Sequence, residues 1–375
     1  MVVAGALLPP ELAAALARSM NAPRLATWLG RARPTSEFIG GEVGAVHWTW
    51  LARTFGMNAD PPVTAPYAFG QNPQAPSPGN TAWIAHCDPV FLALGRDHMI
   101  LRDLAQAPLQ AQEAQTLFTL AGQALAQECE PREPKDGEPL LHLDQSLGQW
   151  YLRCEDDVDL RCAPPDAVMG RYLHEHLPTG RHARYFKILG NEIQMLWHTS
   201  SVNTERESQG LVPVNSVWIH GGGRWRPLPP TRVTHVAVVP SGPEEAILRG
   251  WLQAARPPLP GHAAGTAPMP APEPGDALTL FKGLMPSFAY QEWQEWFAGL
   301  TALEAQIEQE MHQARQRGAS CFELVLCGQH VGRVLQISLE PSWWHSLLGG
   351  RRASHSRLER LFQESDGAMP GGTSA

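Results

Sequence analysis

One stretch of the chain gathers residues able to hold an anion: Asn203, Arg206, Gly210, Pro213, Asn215, Trp218 and then Gly221-Gly222-Gly223. A glycine turn after a short strand, here Val214 to Ile219, allows backbone groups to approach a phosphate or carboxylate closely. Arg206 supplies a planar donor fork matched to the same groups. Asn203 and Asn215 are suited to fixing loop geometry through bonds to the backbone. A purely structural role suits the same residues, with the glycines as a tight connection and Arg206 paired to a nearby acid such as Glu192.

Other clusters carry less. His174-Glu175-His176 with His182 would offer a metal two imidazoles on one face of a strand, or would expose them at the end of a helix. Glu155-Asp156-Asp157 with Asp159 could hold a cation through oxygens, and reads more simply as a solvated hairpin tip. No Gly-x-Ser-x-Gly, Walker A or dinucleotide fingerprint is present. The six cysteines form no Cys-x-x-Cys pair and read as structural thiols, Cys321 and Cys327 included. No cofactor or metal is expected.

The elements that must position these residues alternate in type. Pro10 followed by Glu11 to Leu16 starts a helix, and a second follows Pro23. Val43, Val46, Trp50, Leu51 and Phe55 recur near helical spacing. Asp60 to Gly79 reads as a surface loop rich in Pro, Asn and Gln. Trp83 to Cys87 and Val90 to Leu94 read as strand material interrupted by Asp88-Pro89. Residues 109 to 127 form an amphipathic helix, Leu140 to Leu143 and Trp150 to Arg153 a hairpin. Tyr185 to Trp197 is a helix with Ile188, Leu189, Ile193, Leu196 and Trp197 inward. After the Pro- and Ala-rich stretch 254–275, Trp293, Trp296, Phe297, Leu300, Leu303, Ile307 and Met311 mark a long helix, followed by a hairpin turning at Gly328. Trp343-Trp344 and Arg351-Arg352 lead into a last short helix.

The fold expected is α/β or α+β, a mixed sheet with flanking helices, plus a smaller C-terminal α+β unit. The boundaries expected are an N-terminal helical region (1–80), the central domain (81–253), a linker (254–275), the C-terminal helix and hairpin (276–363) and a disordered tail (364–375). With 43% apolar residues the chain can bury a sizeable core. A formal charge of −8 with no clustered Lys/Arg stripe argues against nucleic acid as a partner. No apolar run approaches the length needed to cross a bilayer. Met1 to Leu8 has no basic residue ahead of it and ends at Pro9-Pro10, so the chain reads as cytoplasmic.

The spacing Asn-x-x-Arg-x-x-x-Gly-x-x-Pro-x-Asn-x-x-Trp-x-x-Gly-x-Gly from Asn203 to Gly223 resembles the segment that closes the inserted domain of archaeal-type cofactor-independent phosphoglycerate mutases. Trp83 to Asp103, the helix from Leu109 to Leu125, and Leu177-Pro178-Thr179-Gly180 before the Tyr185 helix follow the order of that insert. With Asp88-Pro89-Val90 and Asn191 to Met195, the same elements, over roughly residues 80 to 228, look closer still to RpfE-type bacterial regulatory proteins. The mutases belong to the alkaline-phosphatase superfamily, and the resemblance implies two divalent metals held by Asp and His on both sides of the insert, with a serine as phosphoryl acceptor. Here residues 1–80 hold a single aspartate, Asp60, and after Gly223 only Asp276 and Asp366 remain. The resemblance therefore implies a non-catalytic regulatory or interaction protein, with an anion loop of Asn203, Arg206, Asn215 and Gly221 to Gly223 for a phosphorylated or carboxylate metabolite, and a protein partner as the other candidate. A mutase-like enzyme is the alternative.

Overall fold

The computed structural model describes residues 1–375 apart from 20–21, 42, 44, 73–81, 96–97, 103, 105–106, 130–138, 257–274, 341–354 and 365–375. In chain order the first elements are β1 (Val2–Val3), α1 (Pro10–Ser19), α2 (Pro23–Arg31), β2 (Arg33–Ile39), α3 (Val46–Thr54) and α4 (Ala65–Phe69). Next come β3 (Trp83–Leu94), β4 (Met99–Arg102), α5 (Ala111–Cys129), β5 (His142–Ser146), β6 (Gln149–Cys154), α6 (Pro165–Val168), α7 (Ala183–His198) and α8 (Ser201–Ser208). β7 (Ser216–Arg224), β8 (Val233–Val239), α9 (Glu244–Ala254), β9 (Asp276–Phe281), α10 (Met285–Ala289), α11 (Trp293–Gln316), β10 (Cys321–Cys327), β11 (Val331–Ser338) and α12 (His355–Phe362) complete a mixed α/β fold. Among the described residues no helix is long and apolar enough to cross a membrane.

The chain divides into two units, but not at the boundaries expected from composition. The first comprises Met1–Asn58, Pro229–Glu245 and Ala255–Ala375; the second comprises Ala59–Leu228 and Ala246–Ala254. The N- and C-terminal thirds, expected as separate pieces, share one sheet because β1 inserts between β9 and β10, parallel to both. Residues 365–375 of the expected tail and most of the linker lie outside the described residues, as do Trp343-Trp344 and Arg351-Arg352, whereas Glu364 is held by the Val331 N–H at 2.9 Å.

In the first unit the strand order is β2-β11-β10-β1-β9-β8, with β8, β9, β1 and β10 parallel and β11 and β2 antiparallel at one side. Strands buried on both faces are continuously apolar, as in Leu324-Val325-Leu326-Cys327. α11 buries Trp296, Leu300, Leu303, Ile307 and Met311, the stripe its spacing predicts.

In the second unit the sheet order is β4-β3-β6-β5, with β7 on the other side of β3. β3 is one strand of 12 residues, so Asp88-Pro89 does not interrupt it. Pro89 falls where β3 exchanges partners: pairing with β6 ends at His86 and pairing with β4 begins at Phe91. The missing N–H therefore costs no rung in either of those ladders. One face of this sheet carries Trp83, Ala85, Cys87, Trp150, Leu152, Val217 and Ile219 against α5 and α7. Trp197 of α7 is fully buried there and donates its indole N–H to the Leu117 carbonyl at 3.0 Å. Ile188, expected inward, is exposed instead, because Leu189, Ile193 and Trp197 already fill the contact line of α7.

Candidate functional site

The Asn203–Gly223 segment folds as a helix, a clamp and a strand. Ser200 caps α8 by accepting the Val202 N–H at 3.2 Å, and Gly210, at φ 74°, ends it. Asn203 is buried, donating its amide to the Trp197 and Val214 carbonyls and accepting the Val214 N–H, each at 2.8 Å. Asn215 exchanges two bonds with the backbone of Leu92, at 2.8 and 3.0 Å. Arg206, only 1% exposed, donates Nε to the Val212 carbonyl at 2.9 Å and Nη2 to the Ala107 carbonyl at 2.6 Å. Its Nη1 pairs with the Glu113 carboxylate of α5 at 3.1 Å.

These three side chains thus spend their hydrogen-bonding groups on holding the 209–215 connection against α5, α7 and β3. That corrects the anion-loop expectation for Asn203, Arg206 and Asn215, and the acid that pairs with Arg206 is Glu113 rather than Glu192. The physical reason is burial: a guanidinium this deep must be paired and bonded within the fold.

Gly221, Gly222 and Gly223 are not a turn either; they lie inside β7. Ile84 faces Gly223 and His86 faces His220, so three steps of β7 oppose two of β3, a β-bulge at Gly221-Gly222. Gly221 has φ 62°. A Cβ on it would lie 2.0 Å from Thr64 Oγ1 and 3.1 Å from His86 Cδ2, and one on Gly222 would lie 2.5 Å from the Trp83 ring. The glycines permit close packing as well as the kink.

The bulge faces a polar cluster that no sequence spacing announces. On the sheet face opposite the apolar core, His86 pairs across to Tyr151 on one side and His220 on the other. The two imidazoles stack with centroids 4.8 Å apart. His220 Nε2 stands 2.9 Å from Asp88 Oδ2; an ionised carboxylate only accepts, so the imidazole N–H donates. His86 Nε2, His220 Nδ1 and Thr64 Oγ1 are all buried without a hydrogen-bond partner. Burial, and then the positive charge of His220, hold the His86 pKa down at about 3 against an opposing pull from Asp88. The Tyr151 phenol is pushed up by burial and then by Asp88.

A cleft of about 320 Å³ opens beside this cluster. It is lined by Asp60, Arg161, Cys162, His220 and Gly221-Gly222, with Ala59, Pro61, Ala85 and Leu160 as its apolar part. The sequence reading contained Asp60 and the glycines but not the cleft, which depends on the β3–β7 register.

The other candidates are dispersed. His174 to His176 form a short 3-10 turn with His174 well exposed. Among the described residues no three His, Cys, Asp or Glu side chains converge as metal ligands would. The acidic run is tied to arginines: Glu155 to Arg153, Asp157 to Arg224, and Asp159 to the Arg181 N–H. Cys87, Cys154, Cys162 and Cys327 are buried thiols, whereas Cys321, expected in the core, is exposed at the start of β10.

No family model matches the chain. Curated relatives are archaeal 2,3-bisphosphoglycerate-independent phosphoglycerate mutases. That of Methanothrix thermoacetophila is 36% identical over 70 residues, 19% of this chain and 17% of that protein. That of Methanosarcina barkeri is 25% identical over 130 residues, 34% of this chain and 30% of that protein. The matched stretches thus span well under half the length of these relatives. Among solved structures, the cofactor-independent phosphoglycerate mutase of Thermoplasma acidophilum aligns over 90% of this chain and 89% of its own at 11% identity, TM-score 0.32. The PH0037 protein of Pyrococcus horikoshii aligns over 90% and 86% at 11% identity, TM-score 0.39. The chain is related, over part of its length, to the archaeal cofactor-independent phosphoglycerate mutases.

Proposed function

We propose that this is a bacterial, cytoplasmic regulatory or interaction protein of the RpfE type, built on a scaffold shared with the mutases and not performing the phosphoryl transfer for which they are named. One observation supports its non-catalytic part; the rest is carried over from the sequence resemblance. In open α/β sheets, ligands and catalytic groups gather at the carboxyl ends of the parallel strands. In the first unit the part of that edge around β1 is filled with apolar chain, while at the ends of β8 and β9 Lys282 is paired with Glu244. β1 runs directly into Ala4-Gly5-Ala6-Leu7-Leu8, all buried. Ala4 N–H bonds the Phe281 carbonyl ending β9, and Ala6 N–H bonds the Cys327 carbonyl ending β10. The Gly5 carbonyl takes the Trp296 indole N–H at 2.7 Å, and Phe288 packs on Gly5. A two-metal phosphoryl transfer needs carboxylates and imidazoles where these side chains are methyl, isobutyl and aromatic.

The enzymatic alternative draws on the local similarity to the mutases, and a direct assay separates the two. Interconversion of 3- and 2-phosphoglycerate is measured with the full chain in Mn²⁺, Mg²⁺, Co²⁺ and Zn²⁺. The regulatory reading expects a rate indistinguishable from the no-protein blank in all four. Turnover on the order of 1 s⁻¹, the low end for enzymes, overturns it.

A further inference from the structure

The cleft beside the β7 bulge offers what the Arg206 clamp does not: polar groups whose capacity is unspent. We propose that it binds a small acid, a carboxylate or phosphate anion, between the exposed Arg161 and the buried His220.

Three observations converge on it. Among the described residues the Arg161 side chain makes one hydrogen bond, from Nη2 to the Asp60 backbone carbonyl at 2.9 Å, and pairs with no carboxylate. Arg153, Arg206 and Arg224 of the same unit each hold one. The remaining donors of Arg161 keep the fork geometry that suits a planar or tetrahedral oxyanion. Second, His220 is 8% exposed, its ring is held by Asp88 through Nε2, and its Nδ1 has no partner. A buried nitrogen left so carries a desolvation cost that a ligand oxygen bonding it would recover. With its Nε2–H given to Asp88, the Nδ1 lone pair accepts, so a ligand hydroxyl such as the P–OH of hydrogen phosphate or the alcohol of a hydroxy acid donates to it. Third, the two bulge glycines line the same cleft and bring backbone, not side chain, to its wall.

Volume limits the ligand. About 320 Å³ is the room of roughly ten water molecules at about 30 Å³ each, enough for a small acid and not for a large cofactor. Asp60 shares the lining and opposes an anion, so its charge serves as an internal test. This site gives the metabolite binding expected from the sequence a different location within the proposed regulatory protein, and its measurement is independent of turnover.

The full chain is titrated calorimetrically at constant ionic strength with inorganic phosphate and, separately, with glycerate, so that the two arms tell a phosphoryl from a carboxylate ligand. Saturable binding by at least one probe is expected. Arg161→Gln should weaken it by about tenfold, the lower range for a charged hydrogen bond. Arg161→Lys should fall between, keeping charge but losing the fork, and Asp60→Asn should tighten binding. Arg161 is exposed, so an unchanged Tm verifies that its variants fold. No saturation up to about 50 mM of either probe overturns the proposal, since weaker association is not a site. Binding indifferent to Arg161→Gln overturns it too, and so does weaker binding in Asp60→Asn, which would mark a cationic or zwitterionic ligand. Mutase turnover would leave this site standing, and absence of binding would leave the non-catalytic reading standing.

Discussion

The two sheets of this protein spend their polar residues in opposite ways. In the first unit the carboxyl edge of the parallel strands, the usual place for chemistry, is covered around β1 by Ala4 to Leu8, Trp296 and Phe288. In the second, an antiparallel sheet with one apolar face turns His86, Asp88, Tyr151 and His220 to the other face and leaves several of their atoms unmatched. Apolar filling is stabilising and inert; buried, partly matched polar groups cost stability and are therefore where a role is to be sought. The segment from Asn203 to Gly223 holds both kinds of residue: a structural clamp at Asn203, Arg206 and Asn215, and one member of the polar cluster, His220.

The largest effect that can test this contrast is acid. His86 has a folded-state pKa near 3, well below its unfolded value near 6.5. Its stability contribution is therefore complete above about pH 6.5 and is lost as pH falls from there towards 3, because the unfolded chain binds the proton first. The full loss is on the order of 4–5 kcal/mol. Segment-resolved hydrogen exchange, corrected for intrinsic rates, should show β3, β6 and β7 losing protection between pH 6.5 and 4 before β9 and β10 do. His86→Leu should flatten that slope, and equal acid sensitivity in both sheets would erase the distinction.

Next in size is the clamp. Arg206→Leu leaves the Glu113 carboxylate and the Val212 and Ala107 carbonyls without their donor, and should destabilise the second unit by about 3–5 kcal/mol in urea unfolding. A change below about 1 kcal/mol would mean that Arg206 is spare and would reopen it as a ligand residue.

The smallest effect addresses the bulge. Gly221→Ala should cost about 2–3 kcal/mol, combining a positive φ with the overlap on Thr64 Oγ1. Adding Thr64→Ala should return the steric part and leave about 1–2 kcal/mol of backbone strain. A double mutant no better than Gly221→Ala would show that Thr64 does not define that wall.

Local and periodic features were legible in the sequence. The α11 stripe, the amphipathic α5 and the start of α1 follow from spacing and helix-end chemistry, and the mixed α/β class follows from their alternation. What escaped was set by distant partners. β1 is two residues long, too short for any period, and is a strand only because β9 and β10 flank it. Pro89 suggested a break because sequence shows the missing N–H but not which neighbour ends there. Asn203, Arg206 and Asn215 have the right chemistry for an anion, but distant backbone groups and Glu113 take up their hydrogen-bonding groups within the fold. His86, Asp88 and His220 meet only through the β3–β7 register, and Thr64 joins them from the start of α4 by bonding the Gly221 carbonyl, neither of which a local pattern encodes.

The bulge at Gly221-Gly222 also bears on how such a sheet can change over generations. Side chains alternate faces along a strand, so removing one residue there would reverse every residue from Ser216 to His220 relative to β3. Val217 and Ile219 would leave the core, while Trp218 and His220 would enter it. A single-codon deletion in the glycine run would thus exchange the two faces of the strand at once, whereas point substitutions at neighbouring surface positions would alter one contact each. Lineages carrying this sheet should accordingly vary freely in residue type around β7 while keeping its length fixed.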